Sequence, residues 1–394
     1  MKFRRLIPLL VCVLLVVSSI GSGDDSEGLN GEITDRMDLR DANLSSMDLS
    51  GAHLNQSDLC GANLHNATLA GSFLISAWLK DADLTNAQLR GADLTGADLG
   101  GADLTRADLS ETTLWGAQMS EAVLKEADLT KADLTRADLS YADLTEAVMT
   151  DARLFRTDLS GAMMTDIYMI GGNFVGAHLN WADMSDGYLS RARFSRAEFY
   201  GANLTKADLS DADFTRAYLM RADLAGASLN WADMAYADLT EADLTGANLH
   251  GTKLPYADLT GADLSGADLT DANLAAVRLV GANLSNARLG RVDLSKLDLR
   301  DVDMSGAYLK NANLNQVYLT NANLAGADLR EATLTTVEMT GANLTGANLM
   351  RITYDQFTLY SLLRAKLNGT IMSDDLRKDI EALSGGASNS ISPY

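Results

Sequence analysis

The chain repeats itself every five residues, and this period restricts its possible folds more than any other feature. From Leu39 to Leu349, every position ending in 4 or 9 is Leu, Met or Phe, at all 63 sites. Two positions earlier, 47 of the 63 sites are Ala, and the position between is Asp or Asn at 38. The register holds without an insertion, so one local structure must recur throughout.

A five-residue period does not suit an α-helix, because successive leucines would be spread around the helix axis and no apolar face would form. In an extended segment, alternate side chains share a face, so Ala and Leu point inward and the intervening Asp or Asn points outward. Five is odd, so the chain must turn at the other two positions, where Gly, Asp, Asn, Ser and Thr are abundant. The sequence therefore predicts a coil of very short strands joined by corners.

Unusual side chains recur at intervals of twenty, which predicts four repeats in each coil. A bulky side chain in one layer requires an adjusted neighbour in the next, so this spacing indicates direct stacking. The 63 repeats then form about 16 coils. The series that share this spacing are Phe174, Phe194, Phe214 and Met234; Tyr236 and Tyr256; and Val277, Leu297, Val317 and Val337.

The repeated unit is A(D/N)LXX, as in Ala92-Asp93-Leu94-Thr95-Gly96. In tandem over most of the chain, this unit resembles the pentapeptide-repeat family. The resemblance implies an all-β solenoid, namely a right-handed quadrilateral β-helix; its hand is taken from the family. Tyr354-Asp355-Gln356 also resembles the segment that closes many family members.

Beyond Arg351 the register dissolves, which predicts a short helical cap at the C-terminal end of the β-helix, where an open ladder would otherwise invite aggregation. Thr358 is expected to N-cap a helix that runs to about Leu367. Ser373 is expected to N-cap a second helix that ends near Ser384.

The first 23 residues have the plan of a secretory signal peptide. Lys2, Arg4 and Arg5 form a basic start, Leu6–Val17 is apolar, and the following residues are mostly small. An uncleaved anchor is the alternative, although the apolar run is short for a membrane span. The predicted segments are the signal peptide 1–23, an N-terminal cap or linker 24–36, the β-helix 37–350, the helical cap 351–384 and a disordered tail 385–394.

The protein is therefore expected to be exported, to the periplasm, the cell surface or the extracellular space. No later segment is apolar enough to cross a bilayer. The net charge is −21 and becomes more negative once the basic start is removed, which argues against direct nucleic-acid binding. Cys60 would be the only remaining cysteine, so stability must come from packing rather than from an internal disulfide.

No catalytic, metal-binding or cofactor-binding constellation is evident. His53, His65, His178 and His250 are scattered, and no two of them have the spacing of metal ligands or of a catalytic triad. Cys60 has no basic neighbour in sequence, and no glycine-rich phosphate loop is present. The sequence therefore predicts a protein that is not an enzyme and that needs no cofactor.

One column of outward positions carries carboxylates and no basic residue. It is expected to be a solvated polar face; an acidic mimic of nucleic acid and a cation-binding stripe are the alternatives. The repeat resembles no known calcium-binding nonapeptide. The carboxylates of this column are Asp83, Asp103, Asp143, Asp183, Asp223, Asp243, Asp263 and Asp303.

Two other sets of residues are candidates for contact with a partner, because Arg and aromatic side chains are enriched at protein interfaces. The first set lies in the least regular zone, 155–200; a local kink with incidental aromatics is the alternative there. The second is a corner column, in which basic residues that offset nearby carboxylates are the alternative. The first set is Tyr168, Trp181, Tyr188, Arg191, Arg193 and Arg196, and the second is Arg136, Arg156, Arg196, Arg216, Tyr236, Tyr256 and Lys296.

The sequence thus favours an exported, non-enzymatic β-helical rod with a structural or protein-binding role. Its partner is expected to be a protein or a component of the cell envelope. The alternative comes from the resemblance, since some family members are acidic cytoplasmic dimers that mimic DNA and modulate topoisomerases. Such mimicry needs a cytoplasmic location, so cell fractionation separates the two hypotheses.

Overall fold

A computed structural model describes residues 35–384. The predicted signal peptide 1–23, most of the predicted linker 24–36 and the predicted tail 385–394 lie outside these residues. The chain divides into two compact units, with the boundary between Ala192 and Arg193. Both units are built from the five-residue repeat, and the boundary falls inside the segment predicted as one β-helix.

Within each unit, parallel bridges join outward residues that are twenty positions apart. Asp83 is bridged to Asp103 in the first unit, and Asp223 to Asp243 in the second. Two backbone hydrogen bonds accompany such a bridge: Leu84 N donates to Asp103 O over 2.7 Å, and Asp103 N donates to Ala82 O over 3.0 Å. The predicted stacking at intervals of twenty, with four repeats in each coil, is confirmed.

The outward Asp or Asn shapes the corner that follows it. Asp103 Oδ1 accepts hydrogen bonds from Thr105 N at 2.9 Å and from Thr105 Oγ1 at 2.6 Å. The next residue, Arg106, then adopts a left-handed backbone with φ of 58°. A non-glycine residue in that conformation costs about 1–2 kcal/mol, which the hydrogen bonds at the corner help to offset. The preference for Asp and Asn therefore has a structural cause as well as a solvation cause.

The inward side chains form an apolar core in each unit, and nearly all of them are inaccessible to solvent. The second unit contains a cluster of three phenylalanines. The Phe194 and Phe214 rings stack with their centroids 4.8 Å apart, and Phe199 meets Phe194 edge-on at 5.2 Å. The predicted column of large inward residues is thus present as direct ring contacts in this unit.

The C-terminal part contains the longer elements. Strand β1 pairs in parallel with β3, and β2 with β4, which extends the ladder into the region after the last repeat. The elements are β1 (Thr333–Leu334), β2 (Asn348–Leu349), β3 (Thr353–Tyr354), α1 (Gln356–Leu362), β4 (Ile371–Met372) and α2 (Asp374–Leu383).

Helix α1 differs from the expected helix at both ends. Its N-cap is Asp355 rather than Thr358, because the Asp355 carboxylate accepts from Thr358 N at 2.9 Å. It ends at Leu362 rather than near Leu367. Helix α2 has Ser373 as its N-cap and Ser384 as its C-cap, in agreement with the sequence.

The hydroxyl group of Thr358 instead forms hydrogen bonds with the backbone of the last coil. It donates to Leu334 O over 2.6 Å and accepts from Val337 N over 3.2 Å. Similarly, Thr370 Oγ1 donates to Leu344 O over 2.8 Å. These hydroxyl groups take the place of backbone partners at the end of the ladder, which leaves fewer free edge groups for another chain to pair with.

Candidate interaction surfaces

Some surface cations pair with carboxylates of a neighbouring coil, although acidic residues outnumber basic ones in the chain as a whole. Arg106 meets Glu126 at 2.8 Å, and Arg221 meets Glu241 at 2.6 Å. Exposed pairs of this kind contribute about 0–1 kcal/mol each.

In the second unit, the acidic column contains stacked carboxylates. Asp223, Asp243 and Asp263 are bridged in succession, and Asn283 Nδ2 donates to Asp263 Oδ1 at 3.0 Å. Between residues 35 and 384, no group of three His, Cys, Asp or Glu side chains is placed to hold a metal ion.

Two of the histidines contact side chains of the next coil, and the surroundings of Cys60 make its thiol less reactive. His65 Nδ1 lies 2.6 Å from Thr85 Oγ1, and the His53 ring stacks on Phe73 with centroids 4.8 Å apart. Burial raises the pKa of the Cys60 thiol, and the nearby Asp58 raises it further. A raised pKa lowers the fraction of reactive thiolate.

Two residues of the predicted partner-binding zone form an exposed aromatic pair. The rings of Tyr168 and Tyr188 stack with centroids 4.7 Å apart and an interplanar angle of 14°. Each is 45% exposed, and Trp181 in the same unit is 64% exposed. Arg191 belongs to this first unit, whereas Arg193 and Arg196 belong to the second, so the zone is divided between the units.

The irregular packing beneath these tyrosines is compensated locally. Ile167 takes a position that is usually Ala, and Gly187 lies directly on it in the next coil. A Cβ atom on Gly187 would be 3.2 Å from Ile167 Cγ2, so the glycine provides the room that the isoleucine needs. The ladder remains closed here, with Tyr188 N donating to Ile167 O at 2.8 Å. On this face of the first unit, a parallel bridge joins Tyr168 to Tyr188.

The corner column contains stacked cations and aromatic rings. In the second unit, the Arg216 guanidinium lies 5.6 Å from the Tyr236 ring centroid, and Tyr236 stacks on Tyr256 at 5.0 Å and 6°. In the first unit, Arg136 lies over Trp115 at 5.9 Å. None of the corner positions that continue this column between 55 and 336 is Asp or Glu.

The five cations of this column also lack carboxylate partners in the described part of the chain. None of Arg136, Arg156, Arg196, Arg216 and Lys296 forms an ion pair there. The interpretation that they simply offset nearby carboxylates is therefore not supported by direct pairing. We call the members of this column between 196 and 296, all in the second unit, the acid-free corner, namely Arg196, Arg216, Tyr236, Tyr256, Ala276 and Lys296.

Asp213, on the face next to Arg196 and Arg216, has a pKa below its usual range. Burial alone would raise the pKa, but hydrogen bonds from Ser195 Oγ and Thr215 Oγ1, each at 2.5 Å, outweigh it. This carboxylate is therefore ionised at neutral pH and is held by hydroxyl groups. Its hydrogen bonds are thus already made within the protein.

Sequence reasoning missed two aromatic features. Trp78 lines a surface cavity of ≈590 Å³ together with Met37 and Asp58 in the first unit. Trp231 in the second unit lies against Gly251, where a Cβ atom would be 2.5 Å from the indole ring. The available signals were the aromatic residue at an outward position and the glycine twenty residues after the tryptophan.

Stacked coils with an inward Leu and Ala in each repeat define a β-helical solenoid. The family model for pentapeptide repeats matches residues 38–169 and 173–351. The chain belongs to the pentapeptide repeat family, whose fold is a right-handed β-helix. The family assignment made from the repeat unit is thus confirmed.

Three solved structures illustrate the likeness. HetL, a regulator of heterocyst differentiation from the cyanobacterium Nostoc, is 29% identical over 68% of this chain and 94% of its own, with a TM-score of 0.26. A pentapeptide repeat protein of the Arabidopsis thaliana thylakoid lumen is 26% identical over 31% of this chain and 70% of its own, with a TM-score of 0.18. QnrB1, a plasmid-mediated fluoroquinolone resistance protein, is 17% identical over 60% and 99%, with a TM-score of 0.22.

These TM-scores lie well below 0.5, so family membership rests on the repeat itself. Comparison with curated proteins gave no match. In residues 35–384, no helix has the length and apolar character that a membrane span requires.

Proposed function

We propose that this protein is an exported, non-enzymatic β-helical binding protein, whose partner is a protein or a component of the cell envelope. The observation that carries the proposal is the exposed stack of Tyr168 on Tyr188. Aromatic side chains bury much area on binding and lose little conformational entropy. Trp181 and Arg191 belong to the same unit and extend the candidate contact surface.

The local energetics support a role other than folding for the two tyrosines. At an outward position, Asp or Asn accepts hydrogen bonds from the corner that follows, as Asp183 does from Ser185 N at 3.1 Å and Ser185 Oγ at 2.7 Å. A tyrosine ring cannot make these contacts. Each tyrosine therefore forgoes about 0.5–1.5 kcal/mol that the usual residue would contribute. The stack of the two rings contributes about 0.5–1.5 kcal/mol for the pair, which is less than the two tyrosines forgo together, so contact outside the coil better explains their presence.

The binding role is tested with the double variant Tyr168→Asn and Tyr188→Asn. Asparagine restores the usual outward residue, so we expect the melting temperature to hold or rise while binding to the native partner weakens. The matched control is Tyr308→Asn with Tyr318→Asn, two exposed outward tyrosines of the second unit. Purified variants are compared as immobilised baits for envelope extract, and then with the isolated partner by calorimetry.

The outcomes are distinct. If only the first variant loses the partner, the surface around Tyr168 and Tyr188 binds it. If the first variant melts much lower than the parent, the tyrosine stack is structural. If both variants bind like the parent, the proposed contact is wrong, and the acid-free corner becomes the next surface to test.

Export is tested separately, by fractionation and N-terminal sequencing of the native protein. The proposal expects a mature chain that begins between Ser22 and Ser26 and is found outside the cytoplasm. A chain that begins at Met1 in the cytosol would overturn export and would favour the DNA-mimic alternative.

A further inference from the structure

The backbone ladder of the second unit is interrupted at one place. Within the described chain, no bridge joins Asn273 to Asp293 or Arg278 to Asp298, although all four residues are bridged on their other sides. The backbone hydrogen bonds that should accompany these bridges are also missing between 271–281 and 290–300. We call this gap the seam.

The coil contacts on either side of the seam are closed. Leu254 N donates to Asn273 O and Leu259 N to Arg278 O, both at 2.8 Å. On the other side, Leu294 N donates to Asn313 O at 2.8 Å. The interruption is therefore confined to one pair of neighbouring coils.

Solvent reaches the core at the seam. Ala272 is 7% exposed, Val277 is 5% exposed and Leu297 is 4% exposed, whereas inward residues in the middle of the coil stacks are mostly at 0–1%. The ladder and the solvent exposure are independent signs of the same opening.

The cause lies at the small inward position of one coil. Three successive repeats there carry Val292, Leu297 and Val302 in place of the usual Ala, and Leu297 occupies the position twenty residues after Val277. Overfilling a packed core typically costs about 1–3 kcal/mol and forces the backbone to move. The lengthened bond from Asp303 N to Ala282 O, at 3.4 Å, shows the same strain beside Val302.

The first unit shows how such crowding is otherwise relieved. Ile167 also occupies a small position, but the residue stacked on it is Gly187, and the ladder there stays closed. No glycine faces Leu297, because Val277 lies below it and Val317 lies above it. Without that relief, the two coils separate.

We infer that the seam is a hinge built into the second unit. Two of the four sides of the coil remain joined across it, through Leu284 N to Asp303 O at 2.6 Å and Leu289 N to Tyr308 O at 2.8 Å. The other two sides have lost their hydrogen bonds, so the coils can part there while the joined sides act as the pivot. At the edge of the opening, Arg291 and Asp271 form an ion pair at 3.5 Å.

The opening is centred on the acid-free corner, because the corner residues Ala276 and Lys296 lie on opposite sides of the seam. Movement at the hinge therefore changes the separation between Tyr256 and Lys296 along this corner. A partner that contacts both sides of the seam would bind one hinge position more tightly and would shift the equilibrium towards it.

Hydrogen exchange followed by mass spectrometry tests the hinge in the full chain. Peptides that cover 271–281 and 290–300 are compared with those that cover 251–261, where the ladder is closed. Open backbone amides exchange without unfolding of the whole unit, so we expect exchange at the seam to be roughly tenfold faster or more. Equal protection in the two regions would show that the ladder is closed in solution and would overturn the inference.

The triple variant Val292→Ala, Leu297→Ala and Val302→Ala tests the cause. It restores the usual small residue, so the seam should close and the amides of 271–281 should exchange more slowly than in the parent. The matched control is Val337→Ala, which removes bulk from a small inward position two coils away from Leu297, where Glu338 N still donates to Val317 O. If only the control slowed the exchange of these amides, or if the triple variant left their exchange rate unchanged, crowding would not be the cause of the open seam.

Discussion

Replacing Phe214 with Ala tests the inward assignment of the core at its most crowded point. Phe214 is fully buried, stacks on Phe194 with centroids 4.8 Å apart and lies 5.7 Å from Phe199. Loss of a buried Phe side chain typically costs about 3–5 kcal/mol, which includes the cavity that remains. The lost ring contacts, at about 0.5–1.5 kcal/mol for a pair, place the expected destabilisation at the upper end of that range.

Comparing Phe214→Ala with Phe214→Leu separates the effect of lost side-chain volume from the effect of lost ring contacts. Phe214→Leu restores the usual large residue of the repeat, and we expect it to cost less than about 1.5 kcal/mol. The outward control is Asp238→Asn. Asp238 accepts from Thr240 N at 3.0 Å and from Thr240 Oγ1 at 2.6 Å, and Asn203 makes the same two contacts with Thr205. Asparagine can therefore replace Asp238 at a cost within about 0.5 kcal/mol.

The assay is denaturant unfolding followed by circular dichroism, with hydrogen exchange to locate the first region that opens. Coils contact only their neighbours, so Phe214→Ala should open the second unit around residues 194–234 before the rest. If Phe214→Ala and Asp238→Asn shifted the unfolding midpoint equally, the inward and outward assignments would be wrong.

Two further predictions concern the second unit. Burial and a hydrogen bond to Asp379 raise the pKa of the Tyr354 hydroxyl to about 12. The stability that this hydroxyl contributes is complete below the unfolded pKa of about 10 and is lost as the pH rises through 12. Tyr354→Phe should therefore flatten the pH dependence of the melting temperature between these two values. Gly251→Ala should displace Trp231 and change its fluorescence, because a Cβ atom would lie 2.5 Å from the ring, whereas Gly246→Ala, with a similar φ and nothing within 4 Å, should leave the fluorescence unchanged.

The stacking of the coils could be predicted from the sequence because it is a steric rule with a fixed period. A large inward residue must meet its counterpart twenty positions later, and Phe194 with Phe214, and Tyr236 with Tyr256, do so in the structure. The stacking of Tyr168 on Tyr188 followed from the same rule. The division of the candidate zone between two units, with Arg193 in the second, has no counterpart in the repeat pattern.

The seam could not be predicted, because a small difference in energy decides whether two crowded neighbouring coils stay joined or part. Val277 and Leu297 marked the stacking period correctly, but the period does not show whether a crowded pair fits or parts. That depends on the room around it, which Gly187 provides for Ile167 and no residue provides for Leu297. The helix start was mispredicted for a related reason, since the Thr358 hydroxyl is used by the ladder and Asp355 caps α1 instead.

The hydrogen bonds that explain the preference for Asp and Asn at the outward position also help to interpret the positions where another residue stands. Asp and Asn hold the following corner through hydrogen bonds, so another side chain there weakens its own coil by about 1 kcal/mol. In a stack of coils that contact only their neighbours, such a loss stays local and the rest of the unit is unaffected. A β-helix of this kind can therefore place aromatic or basic side chains in almost any coil without losing its fold. Exposed departures from Asp and Asn, such as Tyr168 and Tyr188, are consequently better guides to binding than departures in the core, such as Leu297, which change how the coils pack and move.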